Sequence, residues 1–244
     1  MPPAIKGYSV FVKGEKEFDL TGKSVCIAIP CYSGVIPIET ALALASLAVN
    51  LKEIGVKLDI VSERENGIIT SVRNRLVYRF LNESDADYLF WLDDDIIFQT
   101  QDFLSIFALT EEKGIVAATY PSRKEPSNFF IKYINGDSPE FEEDYGLIKS
   151  KGLGLGFLCM KREIVQQVFD DNADSEYEDA GFCPRDLFKI GVRDRKYWGE
   201  DMSFLVNLYD TYGHISYVHP WINLKHVGRK DYDAKLMNTF KEEK

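Results

Sequence analysis

Between residues 23 and 119, short apolar runs alternate with amphipathic segments, and this alternation constrains the fold more than any other feature. Residues 23–29 (KSVCIAI) form an apolar run stopped at Pro30, as expected of a parallel strand buried on both faces. Residues 38–54 show helical periodicity closed by Gly55 as a C-cap, and residues 56–61 read as a second strand. Residues 68–82 (IITSVRNRLVYRFLN) predict a second helix, residues 88–92 (YLFWL) a third strand, residues 101–113 a third helix and residues 115–119 a fourth strand. A β-α-β-α-β-α-β order is the sequence form of an α/β fold, a doubly wound mixed sheet flanked by helices.

The rest of the chain is less regular. Residues 1–22 read as a lead-in hairpin punctuated by Gly7, Gly14 and Gly22. Residues 121–150 are loop-rich, with Pro121, Pro126, Pro139 and an acidic stretch at 140–144; a second acidic stretch, 170–179, is expected to be solvated. Residues 198–212 start a helix and 215–218 form a short strand. There is no internal repeat, so a single domain over residues 1–244 is expected.

Charge narrows the partners. The chain has 29 Lys+Arg against 39 Asp+Glu, a formal net charge of −10. That balance disfavours nucleic acid and anionic membrane surfaces, which need a basic stripe. It does not disfavour a small anion, because a local cation can reverse the sign of a site. The clearest basic segment is 185–196 (RDLFKIGVRDRK), expected to face phosphates or solvent. Of four cysteines, Cys26 and Cys159 lie in apolar runs and read as core, and no CxxC pair exists. The first residues lack the apolar core of a signal peptide, and the most apolar helical stretch, 35–51, falls short of a bilayer span. A cytoplasmic protein is the expectation.

Three features carry chemistry. Asp93-Asp94-Asp95 follows the apolar YLFW run, and three adjacent carboxylates need a cation, protons or full solvation. On an extended strand end, Asp93 and Asp95 would point the same way and converge on one hard divalent ion, with Asp94 facing elsewhere. Ligands gather at such carboxyl ends in open α/β sheets. Trp198-Gly199-Glu200-Asp201 precedes an apolar helix, so its carboxylates read either as helix caps or as a general base beside an acceptor. His226, in His226-Val227-Gly228, offers a neutral imidazole to a metal, whereas His214 and His219 read as structural.

In this order and spacing, the three features resemble the GT-A glycosyltransferases, in the small soluble form found in bacteria and in viruses or phages. The resemblance runs from about residue 23 to 230. It implies a nucleotide-sugar-binding half at about 23–120 and an acceptor-side half at about 121–244, sharing one GT-A sheet. Asp93-Asp94-Asp95 matches the family's DxD motif, Gly199-Glu200-Asp201 its acidic motif before a helix, and His226-Val227-Gly228 its late metal-binding histidine. Pro30 and Tyr32 resemble the strand-end element that lines the nucleobase pocket, and Glu63 sits where an acid approaches base or ribose. Arg73 and Asn74 resemble the element that holds the diphosphate, with Ser71-Val72 departing from the usual Ala-Ala. Gly152, Gly154 and Gly156 resemble the segment that approaches donor sugar and acceptor; a backbone-crowded strand is the alternative.

The resemblance implies a metal-dependent transferase that moves a sugar from a UDP- or GDP-linked donor to a carbohydrate or other hydroxyl acceptor. Metal ligands would be Asp93, Asp95 and His226, with Mn²⁺ favoured over Mg²⁺ by the imidazole. Asp93 and Asp94 would also approach the nucleotide. Asp201 would be the base in an inverting transfer, with Glu200 second. A nucleotidyltransferase, another metal-dependent nucleotide-processing enzyme such as a phosphatase or nuclease, and a non-catalytic sugar-nucleotide-binding module stay open as alternatives. A viral member would act in the host cytoplasm.

Overall fold

The computed structural model describes residues 8–12, 14–123, 128–136, 138–193, 195–228, 231–233 and 236. The lead-in hairpin forms from β1 (Tyr8–Val12) and β2 (Gly14–Phe18), paired antiparallel; residues 1–7 and 13 of that reading lie outside the described residues. The alternating half follows as β3 (Ser24–Pro30), α1 (Ile38–Glu53), β4 (Lys57–Glu63), α2 (Ile69–Glu83), β5 (Tyr88–Leu92), β6 (Ile96–Ile97), α3 (Thr100–Lys113) and β7 (Ile115–Ala117). The second half adds β8 (Ile131–Tyr133), β9 (Glu140–Phe141), β10 (Ile148–Leu153), β11 (Phe157–Lys161), α4 (Arg162–Asp171), β12 (Gly191–Arg193), β13 (Lys196–Trp198), α5 (Glu200–Tyr212), β14 (Ser216–Val218), β15 (Lys225–Val227) and β16 (Asp231–Asp233). The expected helix at 198–212 starts two residues later, because Trp198 pairs in β13 and Gly199 is the N-cap.

The main sheet has the order β4-β3-β5-β11-β7-β14-β10-β8, with β9 beside β10. Strands β4, β3 and β5 run parallel; β11 is antiparallel to both β5 and β7. The sheet is therefore mixed. Its side chains alternate between two cores, as buried strands require. Val25, Ile27, Phe90, Leu92 and Phe157 face α1 and α3, whereas Cys26, Ala28, Leu89, Trp91 and Leu158 face α2, α4 and α5. Burial on both sides is why the strands read as continuous apolar runs. It also pushes the thiols of Cys26 and Cys159 up to about 12, which makes them inert core residues.

Local chemistry sets the helix ends. Gln99 and Asp102 make a reciprocal capping box at the start of α3, and Gly114 ends it at φ +80°, returning its N–H to the Thr110 carbonyl. The acidic stretches 140–144 and 170–179, expected to be solvated, are mostly exposed, but one acid in each turns to a partner. The buried Glu142 carboxylate accepts hydrogen bonds from the Lys113 ammonium and from the N–H groups of Asp144, Tyr145 and Leu147, and this holds it below the usual carboxylate range despite burial. Asp179 accepts from the Ser71 hydroxyl and faces the Arg75 guanidinium. The loop expected at 121–150 is broken by β8 and β9; residues 124–127 (with Pro126) and 137 lie outside the described residues. Among the described residues no helix is long and apolar enough to cross a membrane.

Candidate active site

The carboxyl ends of β3 and β5 meet the first turn of α2 and enclose a cavity of about 500 Å³. Pro30, Tyr32, Arg73, Asp93, Asp94, Asp95 and Glu200 line it. Such a strand-end crevice is where ligands enter open α/β sheets. The chain turns at once after β5, with the Ile96 N–H donating to the Asp93 carbonyl. The three aspartates therefore do not alternate as on an extended strand. All three line the cavity, Asp94 included, and each carboxylate finds a different partner.

Asp93 accepts from Arg73 Nη2 at 3.0 Å and from the Tyr120 hydroxyl at 3.4 Å. Asp94 faces the Cys31 thiol, and its pKa is raised, first by burial. Asp95 pairs with the Arg123 guanidinium and lies 3.5 Å from His226 Nε2. The Val227 N–H donates to the Asp95 carbonyl and β15 pairs with β6, so the backbone delivers His226 to this point. His226 Nδ1 lies 2.9 Å from the Pro121 carbonyl. A carbonyl only accepts, so Nδ1 carries the proton and the Nε2 lone pair faces Asp95. Burial lowers the imidazole's pKa, which keeps it neutral. Asp95 and His226 thus suit a divalent cation. The third expected ligand, Asp93, is engaged by Arg73 and Tyr120, and among the described residues no three His, Cys, Asp or Glu side chains gather as a metal-ligand cluster.

Arg73 is the hub. It is 3% exposed, reaches Glu200 Oε1 through Nε at 3.3 Å, and lies 5.3 Å from the Trp91 ring centroid. Its Nη1 is buried without a hydrogen-bond partner among the described residues. Burial alone would lower its pKa, but Asp93 and Glu200 hold it above the ordinary arginine value. Asp201 begins α5 beside Glu200. Neither carboxylate caps the helix: Gly199 is the N-cap, and Asp201 Oδ1 accepts from the adjacent Met202 N–H at 2.6 Å. Burial, then the Glu200 charge, raise the Asp201 pKa to about 6.

Asp201 lines a second cavity, of about 710 Å³, together with Tyr120, Gly154, Lys132, Lys196 and Trp198. The two cavities share one wall, built from Asp93, Tyr120, Glu200 and Asp201. Tyr120 accepts the Gly156 N–H at 3.1 Å while donating to Asp93. A methyl group on Gly156 would sit 2.6 Å from Asp93 Oδ2, and one on Gly154 2.7 Å from the Tyr120 oxygen. The glycines thus make room for the wall itself, as a backbone-crowded segment does, and Gly154 also opens onto the second cavity. Gly156→Ala is expected to cost ~1–3 kcal/mol through forced displacement of Asp93. Thermal unfolding should record this as about 2–4 °C per kcal/mol for a chain of this size.

Two expected site residues do other work. Glu63 is bound by Arg75 at 3.1 Å and Arg79 at 3.2 Å and does not line either cavity. Asn74 donates to the Tyr177 hydroxyl and accepts the Leu187 and Phe188 N–H groups, which latches the 177–188 segment to α2. In the basic segment, Arg185 binds the Phe169 carbonyl and faces Asp170 and Glu176. His214 is structural, within 3.2 Å of Gln167, and His219 is buried beside Trp221. Sequence reasoning missed Tyr120 and Arg123. Tyr120 closely follows the β7 run, and a polar residue just past an apolar run was the available signal; Arg123 carried none.

No protein-family model matches the chain, and no curated protein matches it by sequence. Among solved structures, the crystal structure of A197 from STIV is 18% identical, covers 88% of this chain and 91% of its own, and superposes with a TM-score of 0.53. The inositol-1-phosphate CTP transferase from T. maritima is 12% identical over 79% of this chain and 84% of its own, with a TM-score of 0.38, too low to carry weight. The chain shares the mixed α/β fold of A197 across most of both molecules.

Proposed function

We propose that this chain is a metal-dependent glycosyltransferase of the GT-A type, moving a sugar from a UDP- or GDP-linked donor to an acceptor hydroxyl. The observation that carries the reading is the shared wall: one cavity ends on Asp93 and Glu200, the other on Tyr120 and Asp201. A group transfer between two bound substrates needs such an arrangement, with the reacting atoms held at the boundary. Donor and acceptor would then enter from opposite sides.

Charge supports a cation on the donor side. Four carboxylates and one guanidinium line the smaller cavity, so a diphosphate entering alone would be repelled. A divalent ion on Asp95 and His226, Mn²⁺ by ligand type, would supply positive charge to the leaving diphosphate. Arg73, which lines the cavity, would add positive charge beside a phosphate, and the first turn of α2 adds the positive end of its dipole. Tyr32, 67% exposed at the cavity mouth, offers a face for the base. Asp201, ionised at neutral pH with a pKa near 6, would take the proton from the acceptor hydroxyl.

The test is a panel of sugar nucleotides with Mn²⁺, with free nucleoside diphosphate as the readout. Release of UDP or GDP from one donor supports the reading; release of pyrophosphate from a nucleoside triphosphate and a sugar phosphate would make the chain a nucleotidyltransferase instead. Asp95→Asn is expected to weaken Mn²⁺-dependent binding of UDP or GDP by at least ~10-fold, the loss seen when even an outer partner of a metal ligand is removed. Calorimetric titration with and without Mn²⁺ measures it, and unaltered binding would move the cation elsewhere.

A further inference from the structure

We propose that Arg123 is a tethered rival of the divalent cation: the two compete for Asp95, and the guanidinium leaves that carboxylate when the cation binds. This deepens the metal-dependent reading above and rests on it. Three adjacent carboxylates need balancing charge or protons, and the fold balances them one by one. Asp93 pairs with Arg73 at 3.0 Å and Asp95 with Arg123, while Asp94 faces the Cys31 thiol. The two arginines are held differently. The Arg73 side chain is 3% exposed, pinned between Asp93 and Glu200 and lying 5.3 Å from the Trp91 ring centroid, so its charge is a fixed part of the wall. The Arg123 side chain is 45% exposed, and among the described residues its ion pair is with Asp95. Exposed ion pairs are weak, so this guanidinium can turn into solvent at little cost.

The geometry at Asp95 shows what a cation gains there. Oδ2 faces Arg123, and Oδ1 lies 3.5 Å from His226 Nε2. Because Nδ1 carries the imidazole proton, Oδ1 and Nε2 are two lone-pair donors facing each other, and a cation between them turns repulsion into two bonds. The charge of Arg123 acts on Asp94 and on His226 as well, so an ion on Asp95 and His226 would lie within the same short range of it. Like charges so placed repel, and of the two cations the guanidinium is the one that can swing away. It cannot go far. The Pro121 carbonyl holds His226, and Ser122 donates its N–H to the Asn128 carbonyl while accepting the Asn128 N–H, so the backbone leading into Arg123 is fixed beside the site. A competitor tethered this closely is present at high local concentration and lowers the cation's apparent affinity by a constant factor.

Labelling with an arginine-selective dicarbonyl, read residue by residue by mass spectrometry, reports the guanidinium directly, without donor or turnover. With saturating Mn²⁺ alone, the rate at Arg123 is expected to rise ~2–5-fold, the scale of a broken exposed ion pair, while Arg193 in β12 serves as the internal reference. In Asp95→Asn the rate at Arg123 should be high from the start and indifferent to Mn²⁺. Calorimetric titration with Mn²⁺ alone should find that Arg123→Gln binds the ion ~2–5-fold tighter than wild type, with Arg123→Lys, which keeps the charge, close to wild type. Unchanged or slower labelling of Arg123 under Mn²⁺ would leave the guanidinium on Asp95 as a partner of the bound ion and overturn the inference. So would Mn²⁺ binding by Arg123→Gln that is no tighter than wild type. Failure of the metal-dependent reading looks different: neither wild type nor Arg123→Gln binds Mn²⁺, and both proposals fall.

Discussion

Arg73→Met is expected to lower unfolding stability by ~3–5 kcal/mol, the usual cost of stranding buried charge when its partner is removed. Arg73 is nearly inaccessible, and two carboxylates depend on it: Asp93, 21% exposed, and Glu200, 15% exposed. Methionine fills the space over Trp91 but leaves both acids facing an apolar surface. Lysine restores the charge without the fork: one ammonium cannot span Asp93 and Glu200 while stacking on the indole, so Arg73→Lys should recover only part of the loss. The triple variant Arg73→Met, Asp93→Asn, Glu200→Gln should be more stable than Arg73→Met alone, because a buried ionic cluster replaced by uncharged groups is often near neutral. Denaturant unfolding measures all three. A loss under ~1 kcal/mol for Arg73→Met, the scale of an exposed pair, would show that the triad is solvated.

This dependence on a distant arginine marks how far the sequence could be read. The alternating first half was legible because strands buried on both faces must be apolar at every position, and the runs ending at Pro30 and Leu92 stand out against amphipathic helices. Strand direction was not legible: β11 runs antiparallel between β5 and β7, and a fully buried strand has the same composition either way. Helix α4 went unread although Ile164, Val165, Val168 and Phe169 recur at helical spacing.

At the site, the three acidic and histidine motifs were local signals. Their partners were not. Tyr120 reaches Asp93 only because β11 places β7 one strand removed from β5, a fact of sheet order. The family resemblance pairs Asn74 with Arg73, yet successive residues on a helix diverge by about 100°. One enters the cavity and the other holds the 177–188 segment. The acidic stretches are mostly exposed, as read, and depart from that reading at one acid each. Charge in a loop predicts solvation only when no partner is near, and Glu142 and Asp179 find theirs on helices α3 and α2.

Asp201→Asn is expected to cut turnover by ~10²–10⁴-fold, the range for loss of a general base, with donor KM changing less than twofold. The asymmetry follows from the wall: Asp201 lines the larger cavity and not the smaller one. The pH profile should carry the same signature. Reaction needs the ionised carboxylate, so kcat/KM for the acceptor should rise with pH through about 6 and then level. Stability should run the other way. A carboxylate raised from 3.8 to about 6 on folding binds more protons native than unfolded, so its ionisation penalty is absent below about 4 and complete above about 6. Asn at this position carries no such penalty. The variant should therefore be more stable than the wild type at pH 8, by at most ~3 kcal/mol, and the gap should close toward pH 4. A purely structural Asp201 gives the opposite pair of results: wild-type turnover in Asp201→Asn, and lower stability from the weakened first turn of α5. Slower chemistry joined to a more stable protein at high pH is what a half-buried base at the boundary of two cavities requires.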